Sequence, residues 1–530
     1  MQDWPLTSDR LIDHAARWHG HREIVSRSAG GGLECRTYGQ VAQNARRVSA
    51  ALLEAGIRLG DRVATLAMNG VEHLEAWYGI TGMGAVCHTL NPRLFEVQLR
   101  YIVNHAQDRL IFADGAYAPL LASILGDCPC VEQVVFLSPP QDAPDLPVPF
   151  VDYAEFCATS GAEVVWGGFD ETTAAGLCYT SGTTGDPKGV LYSHRSNVLH
   201  TLMSVQPDVF GFSVRDTILP VVPMYHANAW GITYSAPAVG ARLALPGARL
   251  DGQSLCELIE HAGVTVAAGV PTVWLGFLDH LRATGKRPES LERVIIGGAA
   301  APESLIIGLK DAGIEPLHAW GMTELSPVGG AGTLTPKVAA LPFGQQLPWR
   351  IRQGRSPYGI DLRIVDDTGA ELPHDGRSTG SLHVRGFAVA SAYHAREASI
   401  LDGDGWFDTG DVATIDAEGF MRITDRAKDI VKSGGEWISS QDVENAALLH
   451  PKAALAAVVG KPHDKWGERP LLYVQLRDGE QASCEEFRGF LDGRIARWWI
   501  PEEVVFIDDM PLGATGKIDK MALRKRLMEG

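Results

Sequence analysis

The sequence predicts an α/β protein with a smaller β-rich lobe and a compact C-terminal unit. Three observations lead there. Apolar runs of strand length alternate with helical patterns through the first half. From about Gly359 the pattern shortens to closely spaced strands with turn signals between them. A dense charge run, Asp425-Arg426-Ala427-Lys428-Asp429, then separates two strand-like stretches and opens a segment that ends in a Lys-rich helix.

In chain order, Thr37 reads as the N-cap of a helix that carries Val41, Ala45, Val48 and Leu52 at helical spacing. Gly56 supplies its C′ stop. Strand-length apolar runs follow at Arg62 to Ala67, Leu110 to Ala113, Val131 to Leu137 and Ala175 to Tyr179. Others lie at Leu219 to Pro223, Ala241 to Leu245, Thr265 to Ala268 and Leu291 to Ile296. Strands alternating with helices imply largely parallel sheets. The later lobe contributes Ile360 to Asp366, Gly380 to Arg385 and Phe420 to Thr424. No internal repeat or low-complexity tract is present.

The chain has 530 residues, which implies roughly two to four domains. Its net charge of −17 argues against a nucleic-acid surface, while leaving room for a local basic site for phosphates. Eight cysteines are scattered without zinc-site spacing, and Cys128-Pro129-Cys130 is too tight for a CxxC motif. They read as reduced thiols of a cytoplasmic protein. Met1-Gln2-Asp3-Trp4-Pro5 lacks the basic and apolar regions of a signal peptide, and no run of 18 apolar residues predicts a membrane span.

The strongest chemical signal is Tyr179-Thr180-Ser181-Gly182-Thr183-Thr184-Gly185-Asp186-Pro187-Lys188-Gly189-Val190, directly after an apolar strand. Glycines let backbone N–H groups approach an anion, hydroxyls add donors, and the lysine adds charge, which suits a triphosphate. It is not a Walker A loop, because Lys188 is followed by Gly189 rather than Ser or Thr.

This loop resembles the signature phosphate loop of the adenylate-forming superfamily: acyl- and aryl-CoA synthetases, peptide-synthetase adenylation domains and firefly-type luciferases. Further segments resemble that family's motifs, in its order. They are Pro223 to Trp230 (acid pocket), Gly297-Gly298-Ala299 (adenine turn), and Trp320-Gly321-Met322-Thr323-Glu324 (adenine and magnesium). Gly405 to Asp411 (ribose), Asp425 to Gly435 (hinge) and Pro511 to Lys517 (C-terminal lysine loop) complete the series. His-Ala-Asn-Ala-Trp and Lys-Ser-Gly-Gly-Glu-Trp-Ile-Ser resemble bacterial medium- and long-chain fatty acyl-CoA synthetases, and methylthiopropionate-CoA ligases share these strings.

The resemblance implies an N-terminal region of two α/β subdomains plus the β-rich lobe over residues 1–425. A hinge at 426–428 centred on Lys428 would lead to a small mobile α+β C-terminal domain over 429–530. It implies ATP, Mg²⁺ and coenzyme A as cofactors or co-substrates, a small carboxylic acid as substrate, and a homodimer. Catalytic roles fall on Lys517, Thr184, Glu324 and His226, with Glu324 and Thr184 as metal ligands. Nucleotide binding falls on Thr180, Ser181, Gly182, Thr183, Thr184, Lys188, Gly297, Gly298, Ala299, Trp320, Gly321, Met322, Thr323, Asp411, Arg426 and Lys517. The acyl pocket would use His226, Trp230, Gly298, Gly321 and Pro327. The CoA tunnel would use Lys432, Ser433, Gly434, Gly435, Glu436 and Trp437.

The residue types fit these roles. Carboxylate oxygen suits Mg²⁺ bound with phosphates. Two carboxylate oxygens of Asp411 suit ribose hydroxyls. A fixed lysine charge at 517 suits charge building on an α-phosphate. His226 also fits a satisfied core histidine, and Trp230 also fits plain core packing. Trp230 shares a face with His226 only if the intervening stretch is helical. The reading is an AMP-forming acid–CoA ligase, with medium- or long-chain fatty acids first and methylthiopropionate or arylpropionates as alternatives. A carrier-protein acyl-AMP ligase and a non-catalytic acyl-nucleotide binder are further alternatives. A peptide-synthetase adenylation domain would place an aspartate in the acid pocket, and Tyr225 to Trp230 contains no acid.

Overall fold

The computed structural model describes residues 1–158, 164–180, 186–426, 429, 431–433, 436–513 and 518–529, with the backbone alone at 426, 432, 436, 437 and 529. The expected α/β architecture is present. One seven-stranded sheet runs in the order Phe150–Asp152, Gln133–Phe136, Asp108–Ala113, Arg62–Leu66, Val86–Thr89, Ala174–Tyr179, Gly189–Ser193. Every neighbouring pair is parallel except the last. An eight-stranded sheet runs Val328–Ala331, Glu315–Gly321, Arg293–Ile296, Val266–Gly269, Thr217–Pro220, Arg242–Leu245, Glu23–Arg27, Leu33–Thr37, with antiparallel pairs only at its two edges.

Parallel strands are buried on both faces, which is why the sequence shows them as nearly continuous apolar runs. Their period of two sorts side chains into layers. Val63, Leu110, Phe112 and Val135 join the same core as Ile218, Leu243, Ala268 and Ile295 from the other sheet. Ala64, Leu66, Ile111 and Val134 face a separate outer core. Leu219, Ala244, Ala267 and Val294 face another. The two sheets therefore share a central layer, filled by helices such as Tyr38–Glu54 and Val71–Gly82. The first of these helices is capped as its sequence indicates. Thr37 Oγ1 accepts from Gln40 N at 3.3 Å and Gln40 Oε1 accepts from Thr37 N at 2.9 Å.

The β-rich lobe is an antiparallel sheet of Ile360–Val365, Gly380–Gly386, Phe407–Ile415 and Met421–Arg426. Beyond the charge run lies a separate five-stranded sheet. Glu436–Ile438, Val431–Ser433, Gly467–Leu476 and Ala453–His463 follow in order, and Glu503–Phe506 pairs with Gly467–Leu476. Contacts tie this unit back across the run. Ser440 N donates to Asp425 Oδ2 at 2.8 Å and Arg477 reaches Asp279 at 3.5 Å, while Arg524 pairs with Asp429 within the unit at 2.6 Å. Just after the C-terminal lysine loop, Lys520 pairs with Glu444 at 2.7 Å.

Candidate active site

Several of the described candidate residues follow the carboxyl ends of parallel strands, where open α/β sheets place ligands. Ala174–Tyr179 delivers Thr180, Thr217–Pro220 leads to His226, Arg293–Ile296 to Gly297-Gly298-Ala299, and Glu315–Gly321 to Met322-Thr323-Glu324. The phosphate loop spans an antiparallel hairpin. Tyr179 pairs with Gly189, and Thr180 N donates to Lys188 O at 2.9 Å, closing the neck.

Close approach explains two of the glycines. A Cβ at Gly321 would lie 2.0 Å from the Pro327 carbonyl oxygen, and Met322 N donates to that oxygen at 3.0 Å. A Cβ at Gly297 would lie 3.0 Å from the Trp230 ring and 3.2 Å from Ala319 O, so the indole packs over this turn. Gly298 has φ +80°, a conformation that favours glycine. Ala299 is exposed.

The structure joins the adenine and ribose candidates. Trp320 Nε1 donates to Asp411 Oδ2 at 3.3 Å, and both side chains are buried. Asp411 stands directly opposite Arg426 on the neighbouring antiparallel strand. Thr323 is anchored through its carbonyl, which accepts from Tyr192 OH at 2.8 Å. The buried Glu324 is fixed twice: its carbonyl accepts from Ala390 N at 2.7 Å, and its Oε1 accepts from Tyr393 OH at 2.9 Å. The Tyr393 ring also carries the Lys188 ammonium, 5.0 Å from its centroid. Burial first, then the Glu324 charge, push the Tyr393 hydroxyl well above the ordinary phenol range, so it stays a donor.

His226 opens a cavity lined by Thr89, Leu90, Asn91, Leu94, Ile102, Tyr179 and Tyr225. The stretch between His226 and Trp230 is not a right-handed helix. Ala227, Asn228, Ala229 and Trp230 have φ of 40°, 60°, 49° and 56°, followed by Gly231 at 75°. Each such L-residue costs roughly 1–2 kcal/mol. The turn is held by Gly231 N and Thr233 Oγ1, which donate to Asn228 O at 2.9 and 3.3 Å.

Lys432 and Ser433 pair with Trp437 and Glu436 in a two-stranded hairpin, and Ser433 Oγ accepts from Arg469 Nη1 at 3.3 Å. Ser181, Gly182, Thr183, Thr184, Lys428, Gly434, Gly435 and Lys517 lie outside the described residues, and Arg426, Lys432, Glu436 and Trp437 are described by backbone alone. Sequence reasoning missed Tyr393, Tyr192 and Arg469. No local pattern marks them, because each reaches its partner from a distant segment.

A family model described as AMP-binding enzyme matches residues 12–394, and one described as AMP-binding enzyme C-terminal domain matches 442–517. The chain belongs to the AMP-binding enzyme family. This AMP-binding enzyme is 50% identical to a 3-methylmercaptopropionyl-CoA ligase of Ruegeria lacuscaerulensis, over 99% of this chain and 98% of that protein. It is 46% identical to a medium-chain-fatty-acid–CoA ligase of Ectopseudomonas oleovorans, over 98% and 96% of the two chains. Its fold matches the crystal structure of an anthranilate CoA ligase in complex with anthranoyl-AMP, with a TM-score of 0.87, 23% identity and 99% of each chain covered.

The donor set of this AMP-binding enzyme fits Mg²⁺. Among the described residues no group of three or more His, Cys, Asp or Glu is arranged to hold a metal ion. Glu324 is a buried single carboxylate near the phosphate-loop lysine. One carboxylate together with phosphate oxygens is the pattern by which Mg²⁺ binds nucleotides.

Proposed function

We propose that this AMP-binding enzyme is an AMP-forming acid–CoA ligase that converts an acid, ATP and CoA into acyl-CoA, AMP and pyrophosphate. One observation carries the reading. The Trp320–Asp411 hydrogen bond and the Lys188–Tyr393–Glu324 contacts bring together three of the segments expected to hold the nucleotide and its phosphates. Full-length identity to two proteins named CoA ligases supports a thiol acceptor.

In the first step the acid carboxylate attacks the α-phosphorus, the P–O bond to pyrophosphate breaks, and an acyl-adenylate forms. Trp320, Asp411 and Arg426 hold the nucleoside, Lys188 and the 181–184 loop hold the polyphosphate, and Glu324 and Thr184 would hold Mg²⁺. The ion supplies charge neutralisation at the phosphates. His226 orients the carboxylate, and Lys517 stabilises the negative charge that builds at the α-phosphate. In the second step the C-terminal domain, residues 429–530, turns about Lys428 and carries Lys517 away. The CoA thiol enters along Lys432 to Trp437, attacks the acyl carbon, loses its proton, and AMP leaves. The enzyme works in the cytoplasm as a homodimer.

The 46% identity to a medium-chain-fatty-acid–CoA ligase supports an aliphatic acid of medium or longer chain. The 50% identity to a 3-methylmercaptopropionyl-CoA ligase favours a second reading, 3-(methylthio)propionate. Pyrophosphate release measured across straight-chain acids, arylpropionates and 3-(methylthio)propionate, with CoA present, tests the reading. Acid-dependent release with one preferred class supports it. No release with any acid overturns it.

A further inference from the structure

Tyr393 belongs to none of the segments that the sequence marks for nucleotide binding, yet it touches two of them. Its ring lies under the Lys188 ammonium at 5.0 Å, and its hydroxyl donates to Glu324 Oε1 at 2.9 Å. The strand-free stretch that carries it is pinned on both sides. Ala390 N donates to Glu324 O at 2.7 Å, and His394 N donates to Gly189 O at 2.7 Å. Tyr393 also packs against the buried Cys178, Val190 and Tyr192 at the neck of the phosphate loop. The phenol is thereby tied to the base of the loop and to the carboxylate at once.

We propose that Tyr393 is a positioning residue of the nucleotide site: its ring holds Lys188 and its hydroxyl holds Glu324, so that the two charges stay apart and aimed at the polyphosphate and its magnesium ion. This rests on the reading of Lys188 and Glu324 given above. A lysine and a carboxylate brought to one side chain attract each other strongly at the dielectric of a protein surface. A direct pair would have to be broken each time MgATP binds. A ring between them satisfies the ammonium through its quadrupole, and its hydroxyl satisfies the carboxylate. Neither interaction uses up the geometry that a phosphate or a metal needs.

Two substitutions separate the halves. Tyr393→Phe keeps the ring and removes the hydroxyl. Tyr393→Leu removes both. Titration calorimetry with ATP alone and with MgATP reads the difference without acid or CoA, so its failure is distinct from failure of the ligase reading, which the pyrophosphate-release panel tests. Tyr393→Phe weakens MgATP binding about tenfold and leaves metal-free ATP within about twofold. Tyr393→Leu weakens metal-free ATP as well, by about threefold or more, because Lys188 is then drawn to Glu324. Equal loss of both ligands in the Phe variant, or loss of neither, overturns the proposal. The Phe variant alone decides the matter if the Leu variant does not fold.

Discussion

Trp320 donates its indole N–H to Asp411 Oδ2 over 3.3 Å, joining two segments 91 residues apart. A second tie on Asp411 comes from its own N–H, which donates to Thr409 Oγ1 at 3.1 Å. The indole thus fixes the carboxylate that is proposed to hold the ribose. Trp320→Phe keeps an apolar ring and loses the donor. Removing such a bond to a charged group costs about 1.5–3 kcal/mol. AMP affinity measured by calorimetry falls at least tenfold in the variant, and an unchanged affinity contradicts this assignment.

Trp230 packs against Gly297 at the edge of the proposed acyl pocket. Each methylene that a substrate buries contributes about 0.8 kcal/mol. Trp230→Ala therefore moves the chain-length optimum toward longer acids while ATP affinity stays unchanged. A profile of kcat/KM against chain length, read beside a thermal melt, checks this. A loss of about 3–5 kcal/mol of stability with an unchanged profile would make Trp230 a core residue only.

Buried histidines set an acid limit on stability. His73, His200 and His318 are 1%, 1% and 2% exposed. Burial pushes their imidazoles down to about 4, about 3 and about 4. The unfolded chain protonates these rings near pH 6.5, so below that pH it binds more protons than the folded state and stability falls. Each ring contributes a loss of about 1 kcal/mol over the first pH unit below 6.5. Burial also raises Asp114 to about 6, and raises Asp9, Glu72, Asp442 and Glu444, and these carboxyls act in the opposite direction. The melting temperature drops from pH 7 to pH 5. His200→Gln, which keeps an acceptor for Val328 N, flattens part of the drop. A melting temperature that rises toward pH 5 contradicts the sign.

The role proposed for Lys517 would separate the two half-reactions. Lys517→Ala slows acyl-adenylate formation by about 10²–10³-fold, the scale of one lost preorganised charge. Thioester formation from supplied acyl-adenylate stays largely intact. Rapid-quench measurement of each step checks this, and equal loss in both contradicts a lysine that serves adenylation alone.

The sequence makes much of this fold legible, for physical reasons that also mark its limits. Parallel strands buried on both faces show as apolar runs, so Asp108–Ala113 and Arg293–Ile296 are visible in the sequence. Phe407–Ile415 is not, because Asp408, Gly410 and Asp411 interrupt its alternation. The left-handed turn at Ala227–Trp230 is equally hidden: Ala-Asn-Ala-Trp contains no glycine to announce positive φ. The phosphate-loop string and the segments around Glu324 and Asp411 stand out in the sequence because each resembles a family motif within one short string. Tyr393 does not, since its partner Glu324 lies 69 residues away and only the folded β-rich lobe brings them together.

Quantifying AMP, pyrophosphate and acyl-CoA together tests the two-step ligase most directly. The enzyme is incubated with ATP, Mg²⁺ and CoA, and with octanoate or 3-(methylthio)propionate. The account predicts the three products in equal amounts, and acyl-adenylate accumulating on the enzyme when CoA is left out. Formation of ADP in place of AMP, or AMP without acyl-CoA when CoA is present, would contradict it.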